Sequence, residues 1–188
     1  MLRRPRPGAP PRIHPPSVVL DGAVLGTDVV VGAFCFVAAG AVVGSGTRIQ
    51  GHTSVWDGVA LGEDVLVGPG VQFTNVRRPR AAFPRRPLWD RTSVEDGVTL
   101  GAQATLVAPV RIGKCAMIGA GAVVTRDVPA HAIVVGSPAR FIGWACECGE
   151  KASTDREVRA PVQCGRCGRP LPIELCRLHG REAGRRST

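Results

Sequence analysis

Two short cysteine pairs carry the most explicit chemistry in this 188-residue sequence: Cys146-Glu147-Cys148-Gly149 and Cys164-Gly165-Arg166-Cys167-Gly168. Each pair closes on a glycine and a short polar segment separates the two. That pattern suits two knuckles around a tetrahedral four-thiolate site, for which structural zinc is the usual occupant. The first pair, C-x-C, is tighter than the common C-x-x-C. Cys176 and His179 have ligand spacing of their own and could replace one member. Cys35 and Cys115 stand apart and read as small buried residues. Arg78, Arg80, Arg85 and Arg86 crowd one proline-rich stretch that begins just after Asn75, and Arg126 and Arg140 lie further on. Fixed cations of this kind suit phosphates and carboxylates.

These groups are positioned by an exact period of six. A branched or large apolar residue recurs from Ile13 through Val19, Leu25, Val31 and so on to Phe73, and again from Val94 to Val124. Helices repeat near 3.6 and strands near 2.0, so neither explains a strict six. Three short strands per turn of a parallel β-solenoid do explain it, each strand and its corner taking six residues. Four residues past each anchor stands a small or branched residue, as narrow-prism packing requires. Glycine follows many anchors directly (Gly26, Gly32, Gly44, Gly62, Gly68, Gly101, Gly113, Gly119), where a corner would use its access to positive φ. Residues eighteen apart then lie above one another, one interstrand spacing of about 4.8 Å along the axis.

The expected organisation is a basic, unordered arm at 1–12, the solenoid at 13–143, a ribbon-like metal module at 144–176 and a basic tail at 177–188. A stretch at 76–93 cannot continue the coil, since Pro79, Pro84 and Pro87 interrupt it, and a loop of that length extruded from a regular solenoid points to function. Aromatic residues are only 4% and tyrosine is absent, which fits a thin prism filled by Val, Ile, Leu and Ala. The apolar runs are too short to span a bilayer and the arginine-rich start has no signal-type core, so a cytoplasmic protein with no membrane partner is expected. The +9 net charge raises a nucleic-acid reading, but no recognition-helix pattern and few aromatics accompany it. A basic cleft for anionic small ligands accounts for the charge better.

The hexads resemble those of the left-handed β-helix, hexapeptide-repeat acyltransferases. The ending Gly119-Ala120-Gly121-Ala122-Val123-Val124, Asp127-Val128-Pro129 and Gly136-Ser137-Pro138-Ala139-Arg140 resembles their terminal coil. The resemblance implies that the all-β parallel β-helix is left-handed; the cysteine pairs append a small zinc ribbon to it. It also implies a homotrimer with active sites between subunits and acetyl-CoA as cosubstrate. Ala102, Ala120 and Gly121 would contact pantetheine, and Arg126 and Arg140 would meet the phosphates. The γ-class carbonic anhydrases share this prism, but their three-histidine zinc site finds no counterpart among His14, His52, His131 and His179. A non-enzymatic rod or scaffold is the other reading of the same fold.

A narrower resemblance rests on Ile49-Gln50-Gly51-His52-Thr53-Ser54-Val55-Trp56-Asp57-Gly58, on Phe73-Thr74-Asn75-Val76 before the loop, and on Ala139-Arg140-Phe141-Ile142-Gly143-Trp144. These are similar to N-acetyltransferases that act on the 3-amino group of nucleotide-linked amino sugars, UDP-2-acetamido-3-amino-2,3-dideoxy-glucuronate above all, for surface polysaccharide; the alternative is another acceptor, a dTDP-linked amino sugar or a small alcohol. By that resemblance Asn75 is the catalytic candidate, orienting the attacking amine. The alternative for Asn75 is a corner residue tolerant of left-handed backbone. His52 is the candidate base, although the resembled branch carries asparagines in this segment, which favours a polar wall residue. Trp56, Asp57 and the loop arginines Arg78, Arg80, Arg85 and Arg86 would bind the nucleotide-sugar substrate.

Overall fold

The computed structural model describes residues 8–83, 90–156, 158 and 161–172. Arg85, Arg86, Cys176, His179, most of the basic arm and the whole basic tail lie outside these residues. The described chain is all-β and contains no helix.

Strands of two or three residues wind in order around three sides. The first coil is β1 (Arg12–Ile13), β2 (Val18–Val19) and β3 (Val24–Leu25), and the second is β4 (Val30–Val31), β5 (Phe36–Val37) and β6 (Val42–Val43). The third is β7 (Arg48–Ile49), β8 (Ser54–Val55) and β9 (Val59–Leu61), and the fourth is β10 (Leu66–Val67), β11 (Gln72–Phe73) and β12 (Thr92–Val94). The fifth is β13 (Thr99–Leu100), β14 (Thr105–Leu106) and β15 (Val110–Ile112). The sixth opens with β16 (Met117–Ile118) and β17 (Val123–Val124) and closes through a parallel bridge between Ile112 and Val128. From β1 to β14 each strand pairs in parallel with the strand three later, which makes three sheets. Ile13 sits over Val31 and Val31 over Ile49, eighteen residues apart as expected. From Leu66 to Thr99 the step is thirty-three, so fifteen residues are extruded between β11 and β12 without disturbing the stack.

The anchors fill the prism. Val31, Val37, Val55, Val67, Leu100, Leu106 and Ile112 are fully buried, and between them lie the small sites Ala41, Val65, Val71, Ala104, Ala116 and Ala122. Fully burying each such Val, Leu or Ile contributes about 1.5–3 kcal/mol. The first coil departs from the pattern: Ile13 is 44% exposed and Val19 and Leu25 only half-buried, because no described coil lies beneath them.

The glycines that follow anchors serve a different purpose from the expected one. None of them has a positive φ; the left-handed positions are others, including Gly46, Gly58, Gly70, Gly97 and Gly121. A Cβ on Gly26 would lie 2.6 Å from the Ser45 nitrogen, and one on Gly68 2.7 Å from the Ala102 nitrogen. These glycines let one coil's backbone press on the next, where any side chain would wedge the coils apart.

The far end is closed. β18 (Ala132–Val135) continues the first sheet in parallel beside β16, then β19 (Arg140–Ala145) returns antiparallel, and β20 (Lys151–Ser153) pairs with β19. Trp144 is fully buried in β19, packs edge-on against Phe141 at 4.8 Å and donates its indole N–H to the Asp155 carbonyl at 2.6 Å. The core cluster runs on from the anchors through Trp144 to Leu171, with Ala152, Val158 and Val162 partly buried against it. The module is thus joined to the solenoid by one unbroken strand and a shared apolar cluster.

Candidate active site

Corners between sheets stack into three edges, and the eighteen-residue step sorts the candidate residues among them. The first edge, between the first and second sheets, carries Phe34, His52, Gly70, Gln103 and Gly121, all left-handed with φ of 59–68°. A backbone ladder links them: His52 N–H donates to Ala33 O, Gly70 to Gly51, Gln103 to Pro69 and Gly121 to Ala102, at 2.8–3.1 Å. His52 lies flat on Phe34, ring centroids 4.9 Å apart and planes 7° from parallel. The three groove candidates Ala102, Ala120 and Gly121 are on this same edge, two and three coils beyond His52. A Cβ on Gly121 would meet nothing within 4 Å, so the surface there is open to a ligand chain.

The second edge, between the second and third sheets, holds Trp56 and Asp57 in the third coil, Asn75 one coil above and Arg126 two further on. Asn75 is half-buried at the base of the extruded loop. Its carbonyl accepts the Asp90 N–H at 2.9 Å, and Arg77 reaches Asp90 at 3.9 Å, so the loop is pinched shut at its root. That ion pair is solvent-exposed and worth at most about 1 kcal/mol. Asn75 is not among the left-handed residues, so the corner-residue explanation for it fails; His52 is the one that holds such a corner. The Asp57 carboxylate is turned back to accept the Gly40 N–H at 2.8 Å. Trp56 is exposed and tilted against Phe36, centroids 5.2 Å apart. Arg78 and Arg80 are exposed on the loop, Arg80 folding onto the Pro79 carbonyl at 3.2 Å. Arg140 opens β19 just past the turn in which Ala139 N–H donates to Val123 O, and it too is exposed.

The structure therefore brings Asn75, Asp57 and Trp56 together on one edge and His52 with the groove candidates on another. The second sheet lies between them. Sequence reasoning missed Phe34 and Gln103, although both share the eighteen-residue column of His52, with the extruded loop discounted. It also passed over His131, which is buried, left-handed and bonded through Nδ1 to the Ala145 carbonyl at 3.0 Å, a structural role at the root of β19.

The four cysteine sulfurs of Cys146, Cys148, Cys164 and Cys167 converge within 4.8 Å of one another. Cys146 and Cys167 are 3.5 Å apart and Cys148 and Cys164 3.6 Å, too long for disulfide bonds. A tetrahedron with zinc–sulfur bonds of 2.3 Å needs edges of roughly 3.8 Å, so the four fit such an ion. Burial pushes the Cys146 thiol up to about 12, whereas the Cys167 and Arg166 backbone N–H groups bring Cys164 down to about 7. Cys35 is buried, as expected, with its thiol 3.2 Å from the Gln50 carbonyl.

Comparison with known proteins agrees with this architecture. The family described as bacterial transferase hexapeptide (six repeats) matches residues 91–126. A dTDP-3-amino-3,6-dideoxy-alpha-D-galactopyranose 3-N-acetyltransferase from Aneurinibacillus thermoaerophilus is 45% identical over 76 residues, 40% of this chain and 39% of that protein. A 2,3,4,5-tetrahydropyridine-2,6-dicarboxylate N-acetyltransferase from Staphylococcus aureus (strain JH9) is 38% identical over 96 residues, 51% of this chain and 36% of that one. The chain thus spans well under half the length of the curated relatives it matches. Among solved structures, the acetyltransferase domain of PglB from Neisseria gonorrhoeae FA1090, in complex with acetyl coenzyme A, is similar with a TM-score of 0.61 and 25% identity, covering 71% of this chain and 58% of that one. PerB from Caulobacter crescentus, in complex with CoA and GDP-perosamine, has a TM-score of 0.55 and 26% identity, covering 72% and 58%.

Proposed function

We propose, for a chain built of bacterial transferase hexapeptide repeats and similar to sugar N-acetyltransferases, that it transfers acetyl from acetyl-CoA to an amino group on a nucleotide-linked sugar. The acceptor of first choice is the 3-amino group of a UDP-3-amino-glucuronate type sugar, destined for surface polysaccharide. The observation that carries this reading is Asn75: it stands at the root of an extruded loop, half-buried, in a backbone conformation that does not itself call for asparagine. The 45% identical relative, a 3-N-acetyltransferase of a dTDP-3-amino sugar, supports a 3-amino acceptor.

The chemistry asks more for positioning than for a strong base. The neutral amine attacks the thioester carbon, the carbonyl oxygen takes the negative charge, and the carbon–sulfur bond breaks with CoA thiolate leaving. The amine proton passes to solvent or to the departing thiolate. The Asn75 carboxamide oxygen accepts an amine N–H and aims the nitrogen lone pair at the carbonyl, an effect of orientation and entropy. Ala102, Ala120 and Gly121 give pantetheine a side-chain-free edge to lie on, and Arg126 and Arg140 remain the phosphate cations. Arg78 and Arg80 face solvent on the loop and are assigned to the substrate's carboxylate or diphosphate. Asp57 supports the wall through Gly40. The His52 ring, laid on Phe34, is assigned to ligand binding; stacking leaves both ring nitrogens at its edge, so His52 also stays the candidate base for the amine proton.

The four thiolates hold a structural zinc ion, which supplies folding energy and no catalytic step. Exposed outward apolar residues on the second and third sheets, Val18, Val24 and Val42, favour association into a trimer with sites between subunits. Reduced cysteines suit the cytoplasm, and no helix among the described residues is long and apolar enough to cross a membrane.

The test is a mass-spectrometric assay with acetyl-CoA and, in parallel, UDP-2-acetamido-3-amino-2,3-dideoxy-glucuronate and a dTDP-3-amino sugar. Acetylation of the UDP sugar, with Asn75→Ala reducing kcat/KM about 10²–10³-fold and leaving the CoA Kd unchanged, is expected. Acetylation of the dTDP sugar alone transfers the reading to that acceptor. Activity unaffected by Asn75→Ala removes the residue from the site.

A further inference from the structure

Phe34 is an unusual occupant of its corner. Along the third edge the left-handed positions are filled by glycine, by short polar residues such as Asp28 and Asp64, by Cys115 or by buried His131. A bulky side chain at φ 59° is strained, and Phe34 also leaves 58% of its surface in water. Burial does not offset that strain, so fold stability alone gives no reason for the ring. Its partner His52 carries the same kind of φ, 62°, and is stacked on it within 7° of parallel.

The next rung is missing. Gly70 follows His52 on the edge, and the three atoms nearest a Cβ built there are the Nε2, Cδ and Oε1 of Gln103, whose flexible carboxamide lies in the space over Gly70. One coil step is about 4.8 Å, so a planar ring fits on the outer face of His52 in the level of Gly70 once the flexible Gln103 carboxamide swings out of that level. Displaced by the ring, the Gln103 carboxamide, with an acceptor oxygen and two donor N–H groups, pairs with the ring's polar edge. Beside it, Gln72 Nε2 donates to the Gly70 carbonyl at 3.1 Å.

We propose that Phe34 and His52 form a stacking platform for the nucleobase of the nucleotide-linked acceptor, which enters above Gly70 and is read at its edge by Gln103. This rests on the nucleotide-sugar reading above and adds the seat of its base. The diphosphate then leads away across the outer face of the second sheet toward the Asn75 edge. Base–aromatic stacking is sequence-tolerant, so the carboxamide and not the rings decides which base is preferred.

Isothermal titration of the metal-replete full chain with UDP, dTDP and GDP, and separately with CoA, tests it. Phe34→Gly is the informative variant because it relieves the left-handed strain. Its Tm should stay level or rise, while nucleoside diphosphate affinity falls roughly 5- to 150-fold and CoA affinity is unchanged. Phe34→Trp should restore binding. Undiminished nucleotide affinity in Phe34→Gly overturns the platform, as does a loss of CoA affinity instead, which would make it an adenine seat. Dissociation of the oligomer in light scattering, with affinity per subunit retained, would make the pair an interface between copies. A native protein that binds CoA but no nucleoside diphosphate overturns the nucleotide-sugar reading itself and the platform with it.

Discussion

The solenoid and the cysteine module of this chain are held together by opposite means. From the second coil to the sixth, every sixth residue is buried against its counterparts one coil above and below, and no single contact dominates. Among the described residues the module has one three-residue strand of its own, β20, the buried Leu171 and a few partly buried apolar residues in the solenoid's cluster, and four sulfurs within 4.8 Å. Distributed burial tolerates local loss, whereas a four-ligand centre would concentrate the folding energy in the ion proposed for it. The difference is one of cooperativity: the first region should lose stability in increments and the second all at once.

Metal removal should separate the two most strongly, because structural zinc contributes on the order of 10–16 kcal/mol to such small modules. With a chelator, amides of the described residues between 146 and 172 should lose most of their protection in hydrogen exchange while β4 to β17 stay protected. If the solenoid amides open together with the module, the two regions form one cooperative unit and the contrast fails. The chelated module should also depend on pH in two senses. Cys164 is held below its ordinary thiol value, so its contribution is present above about 9 and is lost as pH falls through about 7. Cys146 is raised to about 12, so its contribution is present below about 9 and is lost as pH rises toward 12. Residual protection in the metal-free module should therefore peak near pH 9.

Within the solenoid, Leu100→Ala should cost about 2–5 kcal/mol in denaturant titration without altering zinc stoichiometry, since the residue is fully buried in the fifth coil far from the sulfurs. A fall in bound zinc would show the core and the module coupled. A smaller contrast lies between two buried threonines. Thr47 Oγ1 donates to the Gly62 carbonyl at 2.8 Å and accepts the Val65 N–H at 3.0 Å, whereas the Thr92 hydroxyl, where the loop re-enters, has no partner among the described residues. Thr47→Val should cost about 1–3 kcal/mol and Thr92→Val close to nothing or a slight gain. Equal costs would mean that the Thr92 hydroxyl is bonded in solution.

Much of this architecture was legible in the residues because each hexad states its own inward and outward sides. The six-residue step from Val31 to Val37 specifies a corner between them, and the eighteen-residue step from His52 to Gly70 specifies a shared edge. The same arithmetic places Asn75 above Asp57 and apart from His52. What local pattern could not convey was the purpose of particular residues. Gly68 and Gly101 looked like positive-φ corners, yet they are sites of coil-to-coil contact, because the neighbour that forbids a side chain lies thirty-four or nineteen residues away in sequence.

The amino-acid sequence by itself determined the three-sided solenoid, its interruption between Phe73 and Val94, and the four-cysteine set, since a repeated burial demand and a ligand quartet are both written locally. Only the tertiary structure decided that Phe34 lies flat on His52, that Asn75 keeps an ordinary backbone at a pinched loop root, and that Trp144 joins the module to the prism. Those outcomes depend on side-chain rotamers and on contacts between coils. The stacking of parallel strands settles them only once the whole prism has formed.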